Sequence, residues 1–182
     1  YYRIDFKTVE GEQIGVKVAL SSTSPEGAEL NFNAEVANID FDTARKEAYN
    51  KWNNEISKIR IYGATAEQEE IFYTGMYHTL IMPVDRSGEN PLWTDDVPYY
   101  DDFYAIWDTY RTSTPLITFV DPEREIEIVN SLINICKRDG FMPDARSGNS
   151  NGRTQGGSNA EIVIADAFVK GLEGIDYEAA LQ

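Results

Sequence analysis

The chain has 182 residues, of which 42% are hydrophobic, enough for a packed core in one large domain or in parts of two. Its formal net charge of −15 disfavours binding to nucleic acid or to an anionic membrane by bulk electrostatics. The single cysteine, Cys136, excludes an internal disulfide and any site built from several cysteines, and a small buried hydrophobe is its expected role. No apolar run approaches the roughly 20 residues that a membrane-spanning helix needs.

The first segments alternate between apolar and polar residues. Tyr2–Phe6 and Ile14–Leu20 show the period of two that is typical of half-buried strands, and the turn residues Glu10–Glu12 lie between them. This pattern predicts a hairpin in which Val16 and Val18 face the core. The chain opens inside one such pattern, without a start methionine or a signal peptide, and it stops inside a helical pattern. We therefore expect a fragment of a longer protein.

Helix signals follow the predicted hairpin. Ser24 before a proline predicts the start of a short helix. Asp42 begins a longer amphipathic pattern, in which we expect Trp52 to pack against the preceding sheet. Ile59–Tyr62 alternates like a strand and ends at a glycine.

The segment Thr65–Gln68 fits the capping box and predicts a helix that runs to about Met82. The residues predicted to line its buried face are Ile71, Phe72, Met76, Tyr77 and Leu80. His78 is the only histidine and has no second metal-ligand residue at suitable spacing, so we expect a satisfied interior histidine. Pro83–Pro98 is polar and bounded by prolines, which predicts a long loop, a feature that is often functional.

The second half carries the clearest helix boundaries. Asp121–Pro122 predicts a helix start and Gly140 its end, with acids in the first turn and Lys137 and Arg138 in the last. Ser158 and Glu161 predict another capping box, and Asp176 caps a further helix. The residues predicted to be buried on the first helix are Ile126, Val129, Leu132, Ile133 and Cys136. Those on the next are Val163, Ile164, Ala167 and Phe168.

The order of these elements predicts an α+β fragment that is mainly α. Strand patterns stop near Gly63, and helices joined by glycine- and asparagine-rich loops follow. We expect residues 1–63 to be the end of a β domain with linker helices and residues 64–182 to be the start of a helical domain. A doubly wound sheet is disfavoured because no strands alternate with the later helices.

One stretch combines aromatic rings with carboxylates. Tyr99–Pro115 holds six aromatic residues, three aspartates and Arg111 within seventeen positions. The apolar face of a sugar stacks on aromatic rings, and carboxylates accept hydrogen bonds from its hydroxyls. The structural alternative is an aromatic-rich helix start, with Asp102 as its cap and Asp108 paired with Arg111 one turn along the helix.

A second polar segment, Thr154–Asn159, also precedes a helix, whose free N–H groups can bind ligand oxygens. Gly156 and Gly157 would allow a ligand close to the backbone, although a tight turn before the helix explains them equally well. Lysines are missing from both polar segments, which favours an uncharged polyhydroxylated ligand over a phosphate. The patterns of a nucleotide-binding loop, a catalytic triad and an EF-hand are absent from the sequence.

Several motifs together resemble the opening of the catalytic domain of glycoside hydrolase family 92. The resemblance covers most of Phe41–Leu181, whereas residues 1–40 resemble the end of the family's β-sandwich only loosely. The segments that carry it are EIFYTGMYHTLIMP (Glu70–Pro83), YDDFYAIWDTYRTSTPL (Tyr100–Leu116), GFMPDA (Gly140–Ala145) and GRTQGGSNAEIVIADAFVKGL (Gly152–Leu172).

The resemblance implies an (α/α)6 barrel that follows the β-sandwich and linker helices. It also implies a calcium-dependent, exo-acting, inverting α-mannosidase that acts on mannose-containing glycans, with α-1,2 linkages expected, in N-glycan degradation. A periplasmic or secreted location follows from the family. The resemblance implies that the acid and the base lie downstream, in the rest of the full-length catalytic domain, and that the main calcium ligands lie outside this chain. No catalytic residue is therefore assigned in this chain, which we expect to be inactive alone.

The resemblance and the residue pattern together suggest a sugar-binding surface. Trp107 and Asp108 are expected to form the wall and floor of a pocket, with Arg111 orienting Asp108 and with Asp102 nearby. The residues expected at its rim are Gln155, Gly156, Gly157, Ser158 and Asn159. Some family members carry an Asp-containing sequence at the position of Gly157–Asn159, which leaves linkage preference open.

Two other functions compete with the mannosidase. A non-catalytic carbohydrate-binding or scaffold module fits a chain that lacks the acid and base. A helical barrel that acts on a different sugar is the third possibility. The sequence that adjoins this chain on the C-terminal side, or a screen of nitrophenyl glycosides, separates the three.

Overall fold

A computed structural model describes residues 3–152 and 156–181. The helices are α1 (Pro25–Asn31), α2 (Phe41–Ile56), α3 (Ala66–Leu80), α4 (Ile106–Thr109), α5 (Ser113–Val120), α6 (Pro122–Asp139), α7 (Asn159–Val169) and α8 (Tyr177–Ala180), with a π-helical segment at Phe32–Val36. The strands are β1 (Val84–Asp85), β2 (Tyr100–Asp101), β3 (Ala145–Ser147) and β4 (Ser150–Gly152). The described chain is thus mainly helical with short strands, and the predicted α+β class is confirmed at this level.

The chain divides into two compact units, Tyr1–Tyr49 and Asn50–Gln182. In the first unit, the predicted strands are wrong: residues 3–20 contain a turn, in which Glu12 N donates to Val9 O, but no paired strand. Val16 and Val18, expected in a core, are 66% and 68% exposed. Alternation indicates which face a side chain takes, but a strand also needs a hydrogen-bonded neighbour, and residues 3–20 supply none.

Helix boundaries, by contrast, follow the local capping signals. The Ser24 side chain accepts from Gly27 N, and Thr65 forms the predicted capping box with Gln68. Asp121 accepts from Arg124 N at the start of α6. At the other end of α6, Gly140 adopts the left-handed conformation, with φ of 79°. These signals lie within a few residues of the helix end, so the sequence alone specifies them.

The core of the second unit forms where α5, α6 and α7 pack together with the β2 segment. Its most deeply buried aliphatic residues are Ile106, Ile117, Val129, Leu132, Ile133, Ile135, Ala160 and Ala167. The predicted apolar face of α6 is largely confirmed, although Ile126 and Cys136 are only half-buried. Phe168, predicted to be buried on α7, is 64% exposed.

Other buried positions were also predicted wrongly. Trp52 is partly exposed and stacks on Tyr77 of α3, with ring centroids 4.6 Å apart, rather than on a sheet. Ile71 is exposed on α3, and so is His78, which is therefore not an interior histidine. Ile59–Tyr62 forms no strand in the described structure.

Two antiparallel pairs of short strands position the loops beside α6. In the first pair, β1 and β2 join the ends of the long polar loop, and Val84 pairs with Asp101. In the second, β3 and β4 form a hairpin whose tip residues, Gly148 and Asn149, both have positive φ values. Such a pair of values is typical of the tight turn that matches the twist of two strands. A bridge from Phe103 to Arg146 links the two regions.

The aromatic-rich stretch is split between two helices. The first, α4, ends at Thr109, and the second, α5, begins at Ser113. The break keeps Pro115 in the first turn of its helix, where a proline is tolerated. The short α4 therefore carries Trp107 and Asp108 as a separate element.

Candidate functional site

Trp107 contacts the second polar segment predicted from the sequence. The side chain is half-buried on α4, and Gly156 lies directly against it. A methyl group built on Gly156 would be 2.6 Å from Trp107 Cε3 and 3.0 Å from its Cβ, so only glycine fits without a shift. The structure thus brings together the two segments that composition singled out separately.

The backbone N–H and the backbone carbonyl of Gly156 are both hydrogen-bonded to side chains. Its N–H donates to Asp144 Oδ2 at 3.2 Å, and its carbonyl accepts from Asn159 Nδ2 at 2.7 Å. Asp144 and Asn159 are themselves buried. The backbone beside the indole is therefore fixed by two side chains from different parts of the chain.

Asp108 and Arg111 do not form the ion pair of the structural alternative. Arg111 Nη1 donates to the carbonyl of Trp107 at 3.0 Å, and its guanidinium lies 4.8 Å from the Tyr110 ring centroid. The Asp108 side chain is exposed, and in the described part of the chain no hydrogen bond or ion pair to its carboxylate is found, whereas its backbone N–H donates to Ala105 O at 3.0 Å. Arg111 thus supports the backbone of α4 while the Asp108 carboxylate faces solvent.

Asp102 lies in the interior rather than on an open surface. Its side chain pairs with Arg86 and accepts a long hydrogen bond of 3.5 Å from Ser147 Oγ. Its φ of 60° is uncommon for a residue other than glycine. Asp102 does not cap α4, which begins after Ala105, so this structural alternative is wrong.

The remaining predicted rim residues have different environments. Gly157 is exposed with φ of 76°, and Ser158 is exposed and makes no side-chain capping bond to α7, so the predicted capping box is wrong. The backbone N–H of Asn159 donates to Gly157 O at 2.9 Å in the turn that precedes α7. Gln155 lies outside the described residues.

A buried arginine, which the sequence did not single out, organises the neighbouring hairpin. Arg146 is 1% exposed, and its Nη1 donates to Asp139 Oδ2 at 3.0 Å. Its Nη2 donates to the Tyr99 hydroxyl at 3.2 Å, and its Nε lies 3.6 Å from Asp101 Oδ1. The guanidinium also lies 5.7 Å from the Trp93 ring centroid. Its position in a polar Gly/Ser/Asn-rich loop gave no sequence signal of burial.

Glu125 of α6 is a second buried charge that the sequence did not reveal. It is 1% exposed, and neither carboxylate oxygen has a hydrogen-bond partner among the described residues. Burial raises the pKa of Glu125 to about 8, and the attraction of Lys170 offsets this only in part. Its side chain lines a cavity of about 50 Å³ together with Asp102, Ile117 and Leu132. The protonated form is therefore favoured at neutral pH.

Residues 3–152 and 156–181 contain no group of three or more His, Cys, Asp or Glu side chains that could hold a metal ion. The resemblance implies that the main calcium ligands lie outside this chain, and no calcium ligand is assigned in it. None of the described helices combines the length and the apolar character needed to span a bilayer.

Residues 27–182 match the model of the glycosyl hydrolase family 92 catalytic domain. The chain belongs to glycosyl hydrolase family 92. This confirms the resemblance stated from the motifs, and the mainly helical fold described above is similar to solved family 92 structures.

Three relatives show how far the similarity extends. It is 31% identical over 175 residues to a protein of Arthroderma benhamiae described as an uncharacterised secreted glycosidase, covering 93% of this chain and 19% of that protein. A family GH92 inverting mannosidase from Bacteroides thetaiotaomicron is similar at a TM-score of 0.77 and 34% identity, over 88% of this chain and 23% of that one.

The third relative is the GH92 glycosyl hydrolase ccman5, similar at a TM-score of 0.70 and 25% identity over 89% of this chain and 24% of that one. The chain thus spans about a fifth to a quarter of the length of these relatives.

Proposed function

We propose that the chain is part of an exo-acting, inverting α-mannosidase that hydrolyses terminal α-mannosyl linkages of glycans, with α-1,2 linkages as the first candidates. The observation that carries this proposal is the contact of Trp107 with Gly156 beside the exposed Asp108. Membership of family 92 and the similarity to an inverting mannosidase support the same activity.

The chain contributes sugar binding to this reaction. A half-buried indole has one part fixed by packing and another accessible, so it can stack on the C–H face of a mannose ring. The Asp108 carboxylate next to it can accept hydrogen bonds from sugar hydroxyls, since no protein group competes for it in the described structure. Gly157, Ser158 and Asn159 follow Gly156 in the chain, and we propose them as the rim of this surface, although Asn159 is buried.

The chemical step belongs to the remainder of the proposed enzyme. Inversion needs one carboxylic acid that protonates the leaving oxygen and one carboxylate that activates water on the opposite face of the sugar. We assign neither role to this chain. In the intact protein, we propose an (α/α)6 barrel that begins in residues 64–182 and a β-sandwich that ends in residues 1–63.

Calcium and location are further parts of the proposal. We assign calcium to no residue of this chain, because the described residues offer no suitable cluster of ligands. A bound calcium ion elsewhere in the intact enzyme would supply direct contacts to sugar hydroxyls. A periplasmic or secreted location is consistent with the relative described as secreted.

The direct test uses the intact protein that contains this chain with α-1,2-linked mannobiose as substrate. Proton NMR during the first minutes identifies the anomer that is released, and we expect β-mannose first. Release of α-mannose first would contradict inversion. Binding of the disaccharide without release would instead favour the non-catalytic carbohydrate-binding module.

A screen of nitrophenyl glycosides tests the sugar. The α-mannoside should be cleaved faster than the corresponding glucoside and galactoside, and preferred cleavage of either would point to a barrel that acts on a different sugar. Activity should also be lost in excess chelator and regained when calcium is restored. Full activity in excess chelator would contradict the calcium proposal while leaving the mannosidase proposal intact.

A further inference from the structure

The Asp144 carboxylate lies between two glycines that flank residues 153–155. Its Oδ2 accepts the Gly156 N–H at 3.2 Å. A methyl group built on Gly152 would lie 3.1 Å from its Oδ1, so a side chain at that position would crowd the carboxylate. Asp144 is only 6% exposed and follows Pro143, which is among the most deeply buried residues. The carboxylate is thus held in place by the interior.

Gly156 also lies against the Trp107 indole, so its position limits where the ring can lie. The methyl group that would lie 2.6 Å from Trp107 Cε3 would also lie 3.0 Å from Asn159 Nδ2, so Gly156 fits closely between the two side chains. The Asn159 amide donates to the Gly156 carbonyl at 2.7 Å. A shift of Gly156 in either direction would therefore change the space that the ring of Trp107 can occupy.

We propose that Asp144 is a positioning residue, which sets the orientation of Trp107 by holding the backbone of Gly156. The inference rests on the proposed function only in so far as Trp107 is the surface on which a sugar stacks. Stacking on an aromatic ring depends on the angle and height of its plane, and small displacements at a binding site have large effects.

The character of the hydrogen bond favours such a role. A carboxylate that accepts a backbone N–H makes a charge-assisted bond, which is stronger than one between neutral groups. Asp144, from the segment after α6, accepts the Gly156 N–H, and Asn159, from the first position of α7, donates to the Gly156 carbonyl. The orientation of the Trp107 ring is thereby tied to the packing of both helices.

The test measures KM and kcat for an α-mannoside with the intact protein. Asp144→Ala removes the acceptor, and we expect KM to rise about tenfold with kcat changed less than about twofold, since a stacking contact binds substrate and transition state alike. Asp144→Asn keeps an oxygen that can accept the Gly156 N–H and should restore KM to within about threefold of the parent value. An Asp144→Ala variant with an unchanged KM would overturn the proposal.

A double-mutant cycle shows whether Asp144 acts through the indole. Asp144→Ala should have no further effect on KM when Trp107→Ala is already present. Multiplicative effects of the two substitutions would overturn the proposal. Asp139→Ala is the matched control: Asp139 accepts from Arg146 in the neighbouring hairpin, so this variant should lose stability with an unchanged KM.

Gly156→Ala tests the same contact by changing the glycine instead of Asp144. It is the variant to measure if Asp144→Ala does not fold. Its methyl group must displace the indole, so KM should rise by a similar factor, and an unchanged KM would overturn the proposal. If the intact protein neither cleaves nor binds α-mannosides, the proposed function fails, but the positioning role can still be tested. The emission of Trp107, obtained by subtracting a Trp107→Phe spectrum, should then shift in Asp144→Ala, and an unshifted spectrum would overturn the inference.

Discussion

Arg146 and Asp108 are both charged residues of the helical unit, but they lie in opposite environments. Arg146 is buried, and carboxylates, a phenol hydroxyl and aromatic rings surround its guanidinium. Asp108 is exposed beside Trp107, and its carboxylate has no partner in the described part of the chain. A buried charge is accounted for by its protein partners, whereas a carboxylate that faces solvent beside an indole is available to a ligand. The comparison separates residues that stabilise the fold from residues that can bind a sugar.

The largest effect on stability is expected for Arg146→Ala. The substitution leaves the fully buried Asp101 carboxylate without its cation, and breaking a buried ion pair on one side typically costs about 3–5 kcal/mol. Urea unfolding monitored by circular dichroism gives the free energy of unfolding. Arg138→Ala is the control, because Arg138 pairs with Asp95 at the surface, where about 1 kcal/mol or less is expected. Equal losses of unfolding free energy in Arg146→Ala and Arg138→Ala would contradict the expected difference between a buried and a surface ion pair.

Glu125→Gln is expected to change how stability depends on pH. The pKa of Glu125 is about 8 in the folded chain against an ordinary value of 4.5, so the folded state holds this proton more tightly than the unfolded state. The free energy of unfolding should therefore fall by up to about 1.4 kcal/mol per pH unit between pH 4.5 and pH 8, and this contribution should level off above pH 8. Glu125→Gln should abolish this slope.

The measurement for Glu125 is urea unfolding repeated at several pH values from 4.5 to 9. Glu123→Gln, an exposed position in the first turn of the same helix, should keep the slope of the parent chain. Parallel curves for the parent chain and Glu125→Gln would show that Glu125 is not protonated in the folded state.

The smallest effect on stability is expected for Asp108→Ala. No contact of its carboxylate is lost within the described structure, so the melting temperature should stay close to that of the parent protein. Binding of an α-mannoside, measured by calorimetry on the intact protein, should weaken about tenfold, as expected for one hydrogen bond to a charged group. A loss of thermal stability as large as that of Arg146→Ala would indicate that Asp108 stabilises the fold rather than binding a ligand.

Features encoded by neighbouring residues could be predicted from the sequence. The caps at Thr65 and Asp121 and the helix end at Gly140 each depend on a few adjacent positions, and all three were predicted correctly. The family was also predicted from motifs and is confirmed by the match over residues 27–182. The contact of Trp107 with Gly156, far apart in sequence, joins two segments that were proposed for one surface.

Features that depend on distant partners could not be predicted. The alternation in residues 3–20 is real, but strands need hydrogen-bonded neighbours, and none is found within that segment. Burial of Arg146 and Glu125 contradicts the usual preference of charged residues for the surface, and only tertiary packing explains it. The Gly148–Asn149 turn is an exception, since a Gly/Asn pair is a local signal for positive φ values.

The central claim is that Trp107 is a sugar-binding surface and not only a packing residue. Calorimetric titration of methyl α-mannoside into the intact protein tests it most directly, with Trp93→Ala as the control, because Trp93 packs on Tyr99 and near Arg146. We expect Trp107→Ala to weaken binding about tenfold or more, and Trp93→Ala to leave binding unchanged while lowering stability. Equal affinity of the parent protein and Trp107→Ala for the mannoside would contradict the account.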